Sequence, residues 1–360
     1  MISSSHAASD SPQSYVRASI LIVTFNHRQI IPVCLDALKA TLGPTDEVIV
    51  VDNASSDKTA EVVASRYPWV RLVRSAQNGG YGAANNLGVT VSRADYVVFL
   101  NPDTVPQSGW LDSLLAGLSP DGGTFTTPKI LLASDPRRID TFGNEVHISG
   151  LTTCRGWDEP TGTYVHPEEV SAVSGACFAV PRRLFLQLGG FDTRMFLYFE
   201  DTELSLRARL AGCRCMAIPD ARVLHDHRPG FSAAKLRYLE RNRYWTLLKL
   251  YRWSTLACLT PVLVLAEGVA WAMAVRSGWQ HVVAKAMAWV DLFRWLPDLG
   301  RARREASRLR TVSDRALLRL HSTRLRFAQV DQSLMAQAGE RLTFAAFAGG
   351  RSLTYALGKD

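Results

Sequence analysis

What the sequence has little of narrows it first. Its 360 residues hold only six cysteines (Cys34, Cys154, Cys177, Cys213, Cys215 and Cys258), with no Cys-x-x-Cys pair and no framework spacing. That excludes a disulfide-stapled scaffold and predicts reduced thiols in a cytoplasmic chain. Residues 1–16 have neither a basic start nor an apolar run, so they are expected to be a disordered polar lead-in rather than a signal peptide. No internal repeat and no readable nucleic-acid-binding motif occurs. An arginine- and lysine-bearing Gly-rich loop, expected near the first strand of a nucleotidyltransferase, is missing at Thr24–Arg28.

What is present is a globular composition, 47% apolar and 21% charged, with length for about two domains. Charge is uneven. Residues 231–360 carry 21 Lys and Arg against 9 Asp and Glu, while residues 1–230 carry 20 against 24. A basic half beside a mildly acidic one points to an anionic partner for the former.

From Arg17 short apolar runs alternate with helical spacing. Strands are predicted at Ser19–Thr24, Glu47–Val51, Trp69–Val73 and Ala94–Leu100, with helices over 29–40, from about Asp57, and from the Gly/Asn-rich turn to about Ser92. This order predicts a parallel, doubly wound sheet, whose ligands bind beyond the carboxyl ends of its strands. The residues there are Thr24 to Asn26, Asp52 and Asn53, Asn78 to Gly82, and Asn101 to Asp103. Residues 104–180 read as irregular, and 181–212 as helical up to Gly212, placed as the residue just past a helix end. A short strand is predicted at Cys215–Ile218.

Past Ala233 the texture is helical. Residues 256–275 hold a single charge, Glu267, and one proline, Pro261. The run is long enough to span a bilayer, while a charge at its middle leaves an interfacial or core helix as alternatives. Residues 279–296 place Trp279, Val282, Val283, Ala286, Trp289, Val290 and Phe293 on one face. Arg241, Arg243, Tyr244, Trp245, Trp253, Arg276 and Trp279 look like an interfacial belt, and Arg301, Arg303, Arg304, Arg308 and Arg310 suit an anionic leaflet. A membrane surface, not nucleic acid, is the expected partner.

Seven motifs occur in order: Ile22-Val-Thr-Phe-Asn26, Val50-Val-Asp-Asn-Ala-Ser-Ser-Asp57, Asn78-Gly-Gly-Tyr-Gly-Ala-Ala-Asn-Asn-Leu-Gly88, Phe99-Leu-Asn-Pro-Asp-Thr104, Val173-Ser-Gly-Ala176, Gly189-Gly-Phe-Asp192 and Phe199-Glu-Asp-Thr-Glu-Leu204. Through them, residues 18–250 resemble the inverting glycosyltransferases of family two, of the rhamnosyltransferase-like type. The resemblance implies an α/β GT-A fold, a Rossmann-like nucleotide-sugar-binding sheet with an acceptor-side extension, followed here by a C-terminal helical region. The expected layout is a catalytic domain over 17–235, a basic membrane-associating helical region over 236–340 and a tail over 341–360.

The resemblance also implies roles. Asp52 accepts a hydrogen bond from a nucleobase imide, where the residue alone would equally serve to cap the next helix together with Asp57. Thr24, Asn26, Asn78, Gly79 and Asn101 are further donor-side residues; the turn at Asn78–Gly82 lacks Walker spacing and is equally read as a tight turn. Asp103 stands in a DxD-like metal position whose first acid is replaced by Asn101, and with His225 it is expected to hold Mg²⁺ or Mn²⁺. His227 is the second choice. Asp201 is expected to be the base that takes the acceptor hydroxyl's proton, kept ionised by a helix N-terminus. Ser174, Gly175, Trp157, Glu200 and Arg207 are candidates for acceptor or sugar contacts.

The implied activity is metal-dependent, inverting transfer of a hexose (L-rhamnose from dTDP-rhamnose) to a hydroxyl of a lipid-linked or polysaccharide acceptor. The implied setting is cell-envelope glycan synthesis at the cytoplasmic membrane face. Two competitors stand beside it: a membrane-associated binding protein that kept the fold but lost catalysis, and a zinc site from Cys213, Cys215, His225 and His227.

Overall fold

The computed structural model describes residues 15–226 and 230–324. His227, most of the expected lead-in, and the tail over 341–360 lie outside the described residues. The first half alternates as read: β1 (Ala18–Thr24), α1 (Ile31–Thr41), β2 (Asp46–Asp52), α2 (Thr59–Arg66), β3 (Arg71–Arg74), α3 (Gly80–Val91) and β4 (Tyr96–Leu100). These strands run parallel in the order β4-β1-β2-β3. Ile20, Ile22, Val48, Val50 and Val98 pack against α1 on one face; Leu21, Ile49, Val51, Val97 and Phe99 pack against α3 on the other. Both faces of β1, β2 and β4 are buried, so near-continuous apolar strands are what the sheet requires.

Residues 104–180, read as irregular, are strand-rich. They form β5 (Thr104–Pro106), α4 (Trp110–Ala116), β6 (Thr124–Leu132), β7 (Ile139–Thr141), β8 (Asn144–Val146), β9 (Thr152–Cys154), β10 (Glu168–Glu169) and β11 (Cys177–Pro181). Most are two or three residues long, too short to show a period of two. β6 is long but carries Thr-Phe-Thr-Thr-Pro, and those buried threonines hid it. The helical reading of 181–212 divides into α5 (Arg182–Gln187), a 3₁₀ turn (Thr193–Met195) and α6 (Glu200–Leu210), with Gly212 at φ +83° just beyond. The strand predicted at Cys215–Ile218 extends into β12 (Arg214–His225).

β11 enters the sheet antiparallel between β4 and β6, and β12 runs parallel to β6, so the ten-stranded sheet is mixed rather than all parallel. Among the described residues four helices follow: α7 (Ala233–Leu250), α8 (Trp253–Ser277), α9 (Trp279–Leu309) and α10 (Asp314–Leu318).

Three expectations need correction. Arg241, Arg243 and Trp245 form no exposed belt. They are buried, with Arg243 on Glu240 and the Trp245 ring in a cluster with Met195 and Leu292. Trp289 does not share the exposed face of α9, because its indole N–H donates to Glu267 at 2.8 Å. The zinc set is not assembled: Cys215 and His225 stand near opposite ends of β12, about 30 Å apart at the rise of an extended strand.

Candidate active site

Strand register brings the candidate residues together. β12 pairs antiparallel with β5, setting His225 opposite Thr104 and hence beside Asp103. The Asp226 N–H donates to the Asp103 carbonyl at 2.9 Å. β12 also pairs with β6, and β6 with β7, which brings Asp140 to the imidazole's other side. His225 Nδ1 lies 2.6 Å from Asp140 Oδ2, and Nε2 lies 3.4 Å from Asp103 Oδ1. Burial disfavours the imidazolium, but the two carboxylates outweigh it and push His225 up to about 10. Burial raises Asp103 as well, yet its hydrogen bond with His225 and that ring's charge hold the carboxyl below the ordinary aspartate value.

Asp201 stands in the first turn of α6. Its Oδ2 accepts from the Gly175 N–H at 2.7 Å and the Asn144 amide at 3.2 Å; its Oδ1 accepts from the Thr202 N–H at 2.7 Å and the Thr202 hydroxyl at 3.4 Å. Burial is the larger effect and raises its carboxyl above the usual value, opposing the helix N-terminus expected to favour the ionised form. Beside it Glu200 is pushed up to about 8, by burial first and by the Asp201 charge second. One carboxyl of the pair is therefore held protonated near neutral pH. Glu200 Oε2 is buried without a hydrogen-bond partner.

The two centres are tied by a continuous path. The Gly175 N–H holds Asp201, the next residue's carbonyl at Ala176 accepts from the Asn101 N–H at 2.9 Å, and Asn101 lies two residues before Asp103. A second path runs from Asp140 through its neighbour Thr141, whose hydroxyl is 3.4 Å from the Asn144 side-chain oxygen, to Asp201. Asp103, His225, Asp140 and Asp201 thus line one edge of the sheet.

Gly175 fits closely there, since a Cβ would sit 3.1 Å from Asp201 Oδ2 and press that carboxylate to shift by a few tenths of an ångström. Ser174 is buried, and its hydroxyl oxygen accepts from the Ala176 N–H at 3.4 Å. Both therefore shape the seat of Asp201. Trp157 is half-buried in the turn after β9; its neighbour Asp158 donates its N–H to the Ile139 carbonyl, next to Asp140. Arg207 is a correction. Its guanidinium is committed to Glu203 and to the carbonyls of Leu188 and Gly190, beneath α6, so it faces no cleft.

At the ends of β1 and β2, Asp52 is buried, with Oδ2 accepting from the Ser55 N–H at 3.2 Å and Oδ1 left without a partner. Asp57, not Asp52, holds the start of α2 through the Thr59 N–H at 3.0 Å. Thr24 is fully buried and acts here through its carbonyl, which accepts from the Asn53 N–H. Asn26, at φ +57°, accepts from the Ser56 N–H at 2.8 Å. Asn53 organises the glycine turn: its amide donates to Asn78 Oδ1 at 2.8 Å and its oxygen accepts from the Gly79 N–H at 3.1 Å. Gly80 cannot be replaced there, because at φ +83° a Cβ would lie 2.0 Å from the Phe196 carbonyl oxygen.

Asp140, Asn144 and Asn242 were missed by sequence reasoning. The Asn242 amide, on α7, donates to the carbonyls of Met195, Leu197 and Tyr198 at 2.7 to 3.1 Å and fixes the loop that leads into Glu200. Only register reveals the first two. An asparagine amid the buried face of α7 was the visible signal for the third.

Among the described residues no group of three His, Cys, Asp or Glu side chains is arranged to hold a metal. Asp103 Oδ1 is nevertheless a buried carboxylate oxygen whose near neighbour is the His225 imidazole nitrogen, 3.4 Å away. The Asp103 carboxylate and, once a cation displaced the Nε2 proton, the His225 imidazole would suit a Mg²⁺ or Mn²⁺ that takes its other ligands from phosphate and water.

Residues 19–189 match the family description Glycosyl transferase family 2. An N-acetylglucosaminyl-diphospho-decaprenol L-rhamnosyltransferase of Mycobacterium tuberculosis is 32% identical over 209 residues, which are 49% of this chain and 66% of that protein. A pre-mycofactocin glycosyltransferase of the same organism is 29% identical over 185 residues, 50% of this chain and 37% of that one. The chain therefore spans just under two thirds of the first relative and less of the second. GalNAc-T7, solved with UDP, GalNAc and Mn²⁺, superposes with a TM-score of 0.63 at 16% identity, covering 85% of this chain and 56% of that one. TarS of S. aureus gives 0.53 at 15% identity, covering 92% of this chain and 55% of that one. Residues 19–189 thus match a glycosyl transferase family 2 domain, and the mixed sheet with its C-terminal helical region has the GT-A-like fold of those solved structures.

Proposed function

We propose that this protein is a metal-dependent, inverting hexosyltransferase that moves L-rhamnose from dTDP-rhamnose to a hydroxyl of a lipid-linked acceptor at the cytoplasmic face of the membrane. The observation that carries the reading is the hydrogen-bonded path from Asp201 through Gly175, Ala176 and Asn101 to Asp103, which joins a raised carboxyl to an Asp–His pair. The relative, by its name an L-rhamnosyltransferase acting on a decaprenyl-diphosphate-linked sugar, supports the sugar and the lipid-linked acceptor. The Mn²⁺ in GalNAc-T7 supports the cation.

In this reading Asp52 Oδ1 receives the base imide N–H, satisfying a buried oxygen that has no partner within the chain. Asn78 and Gly79, pinned by Asn53, and Asn101 border the diphosphate and sugar. Asp103 and His225 hold the cation, which when bound neutralises charge on the departing diphosphate. Asp201 takes the acceptor's proton, and a base lifted by burial is the stronger for it once ionised. Glu200, protonated near neutral pH, is a hydrogen-bond donor toward the sugar or acceptor; Trp157 supplies a ring face beside them.

A thermal-shift panel of nucleotide sugars with Mg²⁺ and Mn²⁺ tests the donor. dTDP-rhamnose with Mn²⁺ is expected to raise the melting temperature above any UDP- or GDP-sugar. A larger shift with a UDP- or GDP-sugar would replace the donor assignment, and equal shifts with and without cation would remove the metal.

A further inference from the structure

Fifteen large apolar side chains are exposed among the described residues, and nine of them belong to α8 and α9. On α8 the exposed stripe includes Ala257, Pro261, Val264, Leu265, Ala272 and Val275, and no exposed position from Trp253 to Val275 is charged. On α9 it runs through Trp279, Val283, Ala286, Val290, Phe293 and Leu296, with Arg294 exposed beside it, and then turns cationic at Arg301, Arg304 and Arg308, among which Glu305 is exposed and Asp298 pairs with Arg301 at 3.0 Å. The helices are antiparallel across Gly278, and Arg303 covers the Trp253 ring at 4.2 Å where their far ends meet.

The opposite face of α8 is occupied. Leu259, Val262 and Ala266 pack on Ile148 of the β8–β9 hairpin, the unit that also supplies Asn144 to Asp201. The helix's one acid, Glu267, is consumed inside the protein, accepting from Tyr244 at 2.7 Å and from Lys285 and Trp289 at 2.8 Å. A spanning α8 would carry the domain it is packed on into hydrocarbon. A helix seated on protein along one side has only its other side to give to lipid.

We propose that the α8–α9 hairpin is an in-plane docking surface for an anionic lipid leaflet, with the apolar stripes at the acyl boundary and the arginine row among the headgroups. Charge complementarity selects lipid over a second copy of the chain, since two such arginine rows would repel. This deepens the membrane placement proposed above, rests on that placement alone, and is independent of the donor assignment.

The test uses the full chain with vesicles of phosphatidylcholine, with and without phosphatidylglycerol, and no acceptor lipid. Sedimentation with the anionic vesicles is expected, about fivefold weaker for Arg304→Gln and lost for Val264→Asp or Phe293→Asp. The variants' circular dichroism and nucleotide-sugar thermal shift should match the parent. Brominated acyl chains should quench fluorescence from shallow and not mid-bilayer positions, and Trp279→Phe should reduce that quenching. Absent sedimentation, binding unchanged in both aspartate variants, mid-bilayer quenching, or a dimer that Phe293→Asp dissociates would each overturn the proposal. A donor panel that fails while vesicles still bind would count against the enzyme reading alone.

Discussion

Glu200 and Asp201 are neighbours in sequence with different environments, and pH separates them. Glu200's folded value, about 8, lies above the 4.5 of a free glutamate. The folded state then binds the extra proton, so this group's contribution is complete below about pH 4.5 and is lost as pH climbs through 8. Glu200→Gln is expected to unfold at higher urea than the parent at pH 8, with the advantage closing toward pH 4.5; a constant difference across that range would contradict the raised value. Asp140 belongs to the same scale. By fixing the His225 ring through Nδ1 it acts as a positioning residue, and Asp140→Ala is expected to weaken Mn²⁺ binding by about 10–100-fold in a direct titration without donor. Unchanged affinity would leave Asp140 a structural partner only.

Among elements, what was readable follows from length and pattern. The four parallel strands announced themselves by β-branched runs ending in polar residues, and the candidate carboxylates Asp52 and Asp103 stand where those strands stop. β7 and β8 have three residues each, so Asp140 and Asn144 gain their meaning only from pairing register, a long-range fact. Glu267 misled in the other direction. As a charge inside an apolar run it left three fates open, and its partners Tyr244, Lys285 and Trp289 come from two other helices. Lys285, fully buried between Glu240 and Glu267, is the pin of that three-helix contact. Because Arg243 still holds Glu240 at 2.8 Å, Lys285→Ala should cost about 3 kcal/mol, the low end for breaking a buried pair. The urea midpoint should fall at unchanged slope. An unaltered midpoint would show the network to be energetically idle.

At the scale of the whole molecule, the uneven charge read from composition has a structural counterpart. The acidic part of the chain builds the sheet edge where carboxylates gather, and the basic part builds helices that brace it. Asn242 on α7 ties the loop before Asp201, and Lys249 on the same helix pairs with Asp192 at 2.8 Å and Glu203 at 2.9 Å. The helical region is thus both a support for the α6 end of the site and an exposed apolar face. The most direct measurement is transfer from dTDP-rhamnose by Asp201→Asn beside Asp103→Asn, with donor binding followed in parallel. Asn at 201 can still accept from the Gly175 N–H, so the account predicts a rate about 10²–10⁴-fold lower with donor binding retained, whereas Asp103→Asn weakens both. Near-parental turnover by Asp201→Asn would contradict it.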